Sequence, residues 1–314
     1  MENKKIAFFG ECMIELSGAP LNRTYGGDTL NTALYLARLL QDQPFEISYA
    51  TGLGQDSLSQ EMMDNWQAES IACDLVKRIE GKNPGLYMVE TDHSGERSFH
   101  YWRSDSAVKR YFDHVSPLEE AIEKEDIDAL YISGISLAIL DDQAKESLLL
   151  CIKQLKRQNK QIFFDNNYRP QLWSTEEAKH WYSKVLSYTD VALITEDDDV
   201  LVWSNANIID RCQHFGCQQV VIKRGCEPCI VVDNLQGLQG SAEQVEVSAT
   251  KVEKVIDTCA AGDSFAAGYL AGYLSGKTPA QSAKLGHALA GTVIQYSGAI
   301  IPKSKTEQFK ISGA

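Results

Sequence analysis

The string best able to do chemistry is Asp257-Thr258-Cys259-Ala260-Ala261-Gly262-Asp263-Ser264-Phe265-Ala266-Ala267-Gly268. Small residues run straight into a helical pattern. Residues without bulk let a ligand approach the backbone closely. The first turn of a helix carries unpaired N–H groups and the positive end of its dipole, so it suits a phosphate. Asp263 falls on that same turn. A carboxylate beside a bound phosphoryl group is a natural general base for an attacking hydroxyl. Asp is also a favoured helix cap, and the pattern alone supports both roles equally.

Such residues need a scaffold, and the apolar periods describe one. Residues 5–9 read as a buried strand, and 47–50, 128–132, 161–165, 190–194 and 219–223 as further short strands. Between them, 29–40, 57–67, 141–157, 175–186 and 206–215 have helical length and spacing. This alternation predicts an α/β fold with a largely parallel sheet. Residues 85–90 and 97–102 break the rhythm as two strands joined by the turn composition Asp92-His93-Ser94-Gly95. They predict a small β flap on the main sheet. The chain returns to helices at 262–275 and 279–296. With no repeat and no linker composition, 1–314 reads as a single domain, with a lid from about 11–25 and 85–103.

Composition excludes several classes. With 314 residues the chain needs no disulfide or metal to fold. Thirty Lys and Arg against 43 Asp and Glu give a net charge of −13. That balance argues against a nucleic-acid partner, which wants a basic face. The apolar runs are short, as at 6–9, so no membrane span is expected. A cytoplasmic protein with reduced thiols fits best. Four of the eight Cys sit in apolar or small-residue surroundings and read as buried free thiols. Cys212, Cys217, Cys226 and Cys229 form one loose pair and one lone CxxC, a weak zinc pattern.

Two separated strings carry a resemblance. The 257–268 run resembles the C-terminal signature of the ribokinase-like (PfkB-type) carbohydrate kinases. Gly26-Gly27-Asp28-Thr29-Leu30-Asn31-Thr32-Ala33 resembles their N-terminal signature, in the expected order. Six further segments look like the branch that phosphorylates the sugar acid 2-dehydro-3-deoxy-D-gluconate on its terminal hydroxyl: GECMIEL at 10–16, PGLYMVETD at 84–92, GERSFHYWR at 95–103, SGISLAIL at 133–140, DNNYRPQLW at 165–173 and SGAIIP at 297–302. The resemblance implies a ribokinase-like three-layer α/β sandwich, a central mostly parallel sheet and a small β lid. It implies ATP and Mg²⁺, and the lid hairpin offers an edge for a homo-oligomer.

The resemblance also implies roles. Asp263 is the base, assisted by Arg169 and by the backbone of Ala260, Ala261 and Gly262. Gly27, Asp28, Asn31, Tyr87, Tyr101, Arg103, Arg169 and Asp263 meet the substrate. A sugar acid calls for a cation, and Arg presents a fork that matches a carboxylate. Asn167, Lys223, Gly225, Ala260, Ala261, Gly262 and His287 meet the nucleotide, although Lys223 also reads as solvated and His287 as a packing residue. Pro228 stands where many relatives place Gly, so a stiffer loop is expected there. Asp198 stands where relatives place the Glu that orders the Mg²⁺ water shell, and could serve through water. Glu196, Asp197 and Asp199 read as a solvated acidic helix start. Relatives activated by K⁺ carry Thr where this chain has Cys259, a poor ligand for a hard cation, while Asp257 is retained. Glu11 and Glu15 receive no substrate role, because a carboxylate facing a sugar acid would repel it.

Three rival readings remain open. One is a related kinase for a neutral sugar such as fructose or ribose. Another is a catalytically silent sugar-acid sensor. The last is a nicotinamide-dependent dehydrogenase, which the absence of a G-x-G-x-x-G turn after the first strand disfavours.

Overall fold

The computed structural model describes residues 3–312 except 19, 92–96, 205–206 and 238–241. The chain opens with β1 (Lys4–Phe9). Its Ile6 and Phe8 enter one hydrophobic core, and Ala7 and Phe9 enter another. Burial on both faces is why this strand is apolar without alternation, as in the centre of a parallel sheet. Next come β2 (Met13–Ser17), β3 (Asn22–Gly26), α1 (Asp28–Leu39), β4 (Phe45–Leu53), α2 (Ser57–Ala68), β5 (Ile71–Ala72) and β6 (Val76–Arg78). They are followed by β7 (Leu86–Thr91), β8 (Arg97–Trp102), α3 (Pro117–Glu123), β9 (Ala129–Ser133), α4 (Gly134–Ala138) and α5 (Asp142–Arg157). Then come β10 (Gln161–Asp165), α6 (Thr175–Leu186), β11 (Val191–Thr195), α7 (Glu196–Trp203) and α8 (Ile208–Phe215). The chain closes with β12 (Gln219–Lys223), β13 (Cys229–Asp233), β14 (Glu243–Val247), α9 (Ala261–Leu274) and α10 (Pro279–Val293).

The large sheet runs β14-β13-β12-β11-β10-β9-β1-β4-β5, with β6 also on β4. From β5 to β12 every pairing is parallel; β13 and β14 turn back antiparallel at one edge. Helices α1, α2, α9 and α10 cover one face, and α3, α5, α6 and α8 the other. This is the expected three-layer α/β sandwich with a mostly parallel sheet. Local chemistry sets the helix starts. Ser116, Ser174 and Thr278 form capping boxes, with Pro117 and Pro279 in the first helical turn. No helix among the described residues is long and apolar enough to cross a membrane.

A second sheet, β3-β2-β7-β8, stands apart. The β7–β8 pair is antiparallel, with Tyr87 opposite Tyr101. Phe99, Tyr101 and Trp102 on β8 are 46–58% exposed. The turn expected at 92–95 lies outside the described residues, as does residue 206, where a helix was expected to begin.

Several expectations need correction. Helix α7 forms directly after β11, but its Asp199 is not solvated: it is 2% exposed and lies 2.5 Å from Arg211. Strands β13 and β14 were not anticipated. Cys229 is buried inside β13 and Cys226 is exposed, so the CxxC does not close on itself. Among the described residues no His, Cys, Asp and Glu group could hold a metal by itself.

Helices α9 and α10 touch through glycine. A Cβ on Gly268 would lie 2.8 Å from Gly286 Cα and 2.9 Å from the Leu285 carbonyl oxygen. Both neighbours are backbone, so neither can move aside cheaply. Gly268→Ala is expected to cost about 1–3 kcal/mol, a fall of roughly 2–5 °C in melting temperature. A midpoint equal to wild type would show that the helices can part without loss.

Candidate functional site

The site forms where strand ends and helix starts converge, at the carboxyl ends of the parallel strands. Strand β10 ends in Asp165, and β12 ends in Lys223, 2.5 Å away. Both are buried. Tyr131 on β9 donates to the same Asp165 carboxylate at 3.3 Å. The alternative reading of Lys223 as solvated is thereby corrected: Asp165 holds it in the interior. Its ammonium also lies 3.7 Å from where a Gly262 Cβ would stand, so it faces the start of α9.

Helix α9 begins without a side-chain cap. Ala260 takes the left-handed conformation, φ 58°, to set the first turn. The Ala261 amide donates to the Thr258 carbonyl at 3.2 Å, so it is already engaged in that turn. This narrows the expected backbone site, because one of its three amides closes the loop. Asp257 clamps the approach: its carboxylate accepts from the Cys259 amide at 2.9 Å and the Gly298 amide at 2.7 Å.

Asp263 does not cap its own helix. Its Oδ2 accepts from Asn31 Nδ2 of α1 at 2.8 Å. Asn31 is in reach because α1 starts beside α9. Gly27 sits at the N-cap of α1, and a Cβ there would strike the Glu11 carbonyl oxygen. Asp28, one residue on, accepts from Asn167 Nδ2 at 2.7 Å. The structure therefore gathers Asn31 with Asp263, Asp28 with Asn167, and Asp165 with Lys223 in one neighbourhood.

Crowded carboxylates shift one another. Burial pushes the Asp263 carboxyl up to about 7, and the charges of Asp28 and Asp165 push the same way. The Asn31 hydrogen bond and Lys223 oppose the rise. Burial also raises Asp28, against hydrogen bonds from Ser133, the Thr29 amide and Asn167. Asp198 is raised by burial too, with Arg169 pulling it back. Arg169 lies half-exposed, its Nη1 3.5 Å from Asp198 and 2.8 Å from the Tyr168 carbonyl.

The small sheet supplies the remaining expected residues. Tyr87 is buried and donates to Glu15; the Tyr101 ring lies 5.9 Å from it, tilted by 33°, and is half-exposed. Arg103 pairs with the buried Glu11, and its guanidinium lies 5.9 Å from the Tyr101 ring. Two expected residues lie on other segments, Gly225 after β12 and His287 on α10. Gly225 has φ 59° in an open turn, which Arg224 closes by donating to the Pro228 carbonyl at 3.1 Å. His287 is buried, bonds the Val247 carbonyl at 3.0 Å and packs on Phe265; burial lowers its pKa.

Asp165, Asn166 and Glu11 were missed as site residues. Asn166 ties β10 to β11 through both the amide and the carbonyl of Thr195, at 2.8 and 3.0 Å. The signal available was the run Asp165-Asn166-Asn167 at a strand end, three polar groups where a sheet opens.

The family model described as pfkB family carbohydrate kinase matches residues 3–306. The chain belongs to the pfkB family of carbohydrate kinases. A 2-dehydro-3-deoxygluconokinase of Dickeya dadantii is 47% identical to this kinase, over 96% of this chain and 98% of that one. The fold of this kinase is shared with a crystal structure titled 2-dehydro-3-deoxygluconokinase from Thermotoga maritima, TM-score 0.79, 21% identical and covering 98% of each chain. It is shared also with a fructokinase with bound ATP from Xylella fastidiosa, TM-score 0.81, 21% identical and covering 98% of each. The expected family and fold are borne out.

The raised carboxyl of Asp263 has a sign that can be read in stability. Its folded pKa of about 7 lies above the ordinary 3.8. Its contribution is therefore fully present at pH below about 4 and is lost as pH rises through about 7. Asn cannot ionise but can still accept from Asn31. The melting temperature of Asp263→Asn relative to wild type is expected to climb between about pH 4 and pH 8. A difference that stays flat over that window would show a carboxylate ionised throughout.

Proposed function

We propose that this kinase transfers the γ-phosphoryl group of ATP to the terminal hydroxyl of 2-dehydro-3-deoxy-D-gluconate, giving 2-dehydro-3-deoxy-6-phospho-D-gluconate. One observation carries the reading: Asp263, a carboxyl raised toward neutrality, lies at an uncapped helix start facing Lys223. A chain of contacts, from Asn31 on α1 through Gly27 to Glu11, leads from it to Arg103. The name borne by the 47%-identical relative supports the same substrate.

Each residue then has a task. Asp263 accepts the proton of the attacking hydroxyl, and Asn31 holds its carboxylate in line. A base with pKa near the working pH is well matched to that transfer. The Lys223 ammonium and the amides of Ala260 and Gly262 receive charge on the phosphoryl group, while Ala261 keeps the turn closed. Arg169 leaves Asp198 and reaches the transferring group; its exposure permits the swing. Tyr87, Tyr101 and Arg103 bind the sugar acid from the small sheet, with Gly27 and Asp28 below. Asn167, Lys223 and Gly225 border the nucleotide, and His287 forms a wall behind α9. The Asp198 carboxylate fits a Mg²⁺ carried in by the phosphates rather than caged by protein. When bound, that ion neutralises phosphate oxygens.

ADP release from MgATP tests the reading, with 2-dehydro-3-deoxy-D-gluconate, gluconate, fructose, ribose and adenosine as acceptors. Turnover confined to the keto-deoxy acid is expected. Turnover only on a neutral sugar overturns the substrate, and no ADP with any acceptor favours a silent sensor. Asp263→Asn is expected to lose about a hundredfold or more in kcat while still binding ATP. For wild type, kcat/KM should rise with pH and level off above about 7. Near-normal turnover in the Asn variant would remove Asp263 from the role of base.

A further inference from the structure

An ion pair joins the two sheets, and the reaction as described gives one of its members no task. Glu11 follows β1 of the large sheet, and Arg103 follows β8 of the small one. Arg103 Nη2 donates to Glu11 Oε2, with side-chain exposures of 14% and 2%. The pair is only half satisfied. Glu11 Oε1 and Arg103 Nε are buried without a hydrogen-bond partner among the described residues. Gly85 makes the room: a Cβ there would lie 2.7 Å from Glu11 Oε1 and 3.2 Å from Arg103 Cβ.

A buried charge with unmet hydrogen bonds is costly. It is retained where something else completes it. A guanidinium offers five N–H groups in one plane, and a carboxylate takes two of them in parallel. Glu11 occupies Nη2 and so fixes that plane, with the Tyr101 ring alongside at 5.9 Å. The unpartnered Nε–H is then held at a set angle. A free Arg on a sheet end would sample many rotamers, and binding would have to order it. The carboxylate of Glu11 does not simply repel a sugar acid, because its charge is already matched by Arg103.

We infer that Glu11 is a positioning residue for Arg103: it orders the guanidinium so that its remaining N–H groups meet the carboxylate of the substrate. The inference rests on the proposed function and concerns affinity for the acid rather than the chemical step.

The test compares full-length wild type, Glu11→Gln, Glu11→Ala, Arg103→Met and the double variant Glu11→Gln/Arg103→Met. KM for 2-dehydro-3-deoxy-D-gluconate, KM for ATP, kcat and melting temperature are read for each. Glu11→Ala is expected to raise KM for the acid about tenfold or more, with kcat and KM for ATP within about twofold. Glu11→Gln keeps an acceptor for Nη2 and should restore KM to within about threefold of wild type. Arg103→Met should lower the melting temperature, because it strands the Glu11 charge. The double variant should recover that temperature while KM for the acid stays high. An unchanged KM in Glu11→Ala, with wild type active, overturns this assignment alone. A loss spread evenly over kcat, both KM values and melting temperature makes the pair merely structural and overturns it too. Wild-type protein inactive on the sugar acid overturns the proposed function, and this assignment with it.

Discussion

Asp28, Asp165 and Asp263 repel one another across one end of the sheet, and the architecture is arranged to hold them together. The carboxylates raise Asp263 between them, and one ammonium, Lys223, works against the rise. Lys223 can do so only because parallel register delivers it. Asp165 pairs with Leu193 on β11, and Thr195 of β11 pairs with Lys223, so β10 and β12 finish at nearly the same level. The other two carboxylates arrive on the first turns of α1 and α9, where the positive ends of two dipoles favour negative charge. Strand ends thus supply the cation and helix starts tolerate the anions. The result is an uncapped helix start and an ammonium beside a carboxyl held close to neutrality.

The parts of this arrangement legible in the sequence were the local ones. Strands β1, β9, β10, β11 and β12 announced themselves as short apolar runs, because burial on both faces removes any alternation. The start of α9 was legible because its small residues and Asp263 are contiguous. Strand β14 was not: its burial is mostly exposed until Val247, so no apolar period marks it. Strands β2 and β3 were expected only as part of a lid, since β3 is exposed over Asn22–Thr24 and draws its stability from pairing. Asp165 reads locally as a strand-ending polar residue. Its meaning comes from Lys223, 58 positions later, and no window spans that distance.

The partners of the charged groups were illegible for a related reason. A carboxylate considered alone repels a sugar acid, and on that ground Glu11 and Glu15 were set aside. In the fold neither is alone. Glu11 lies against Arg103, 92 positions away, and Glu15 accepts the phenol of Tyr87, 72 positions away. Asp199 read as part of a solvated acidic helix start, whereas in the fold it pairs with Arg211, whose guanidinium lies 4.8 Å from the Trp203 ring. Electrostatics in a folded chain is a property of pairs, and burial decides how strongly each pair counts.

The beginning of α9 is held by its neighbours rather than by a cap of its own. A Ser or Asp at its N-cap would satisfy an amide and add about 1 kcal/mol. Ala260 offers no such bond, and its left-handed conformation costs about 1–2 kcal/mol for a residue with a Cβ. What keeps the turn in place is farther off. Asp257 holds the amides of Cys259 and Gly298, Ser264 Oγ donates to the Ala260 carbonyl at 2.7 Å, and α10 presses on α9 through Gly268 and Gly286. Because these contacts hold the helix start from outside, its first turn needs no cap of its own. The α9–α10 contact thereby helps fix where Asp263 stands, its carboxylate accepting from Asn31 of α1.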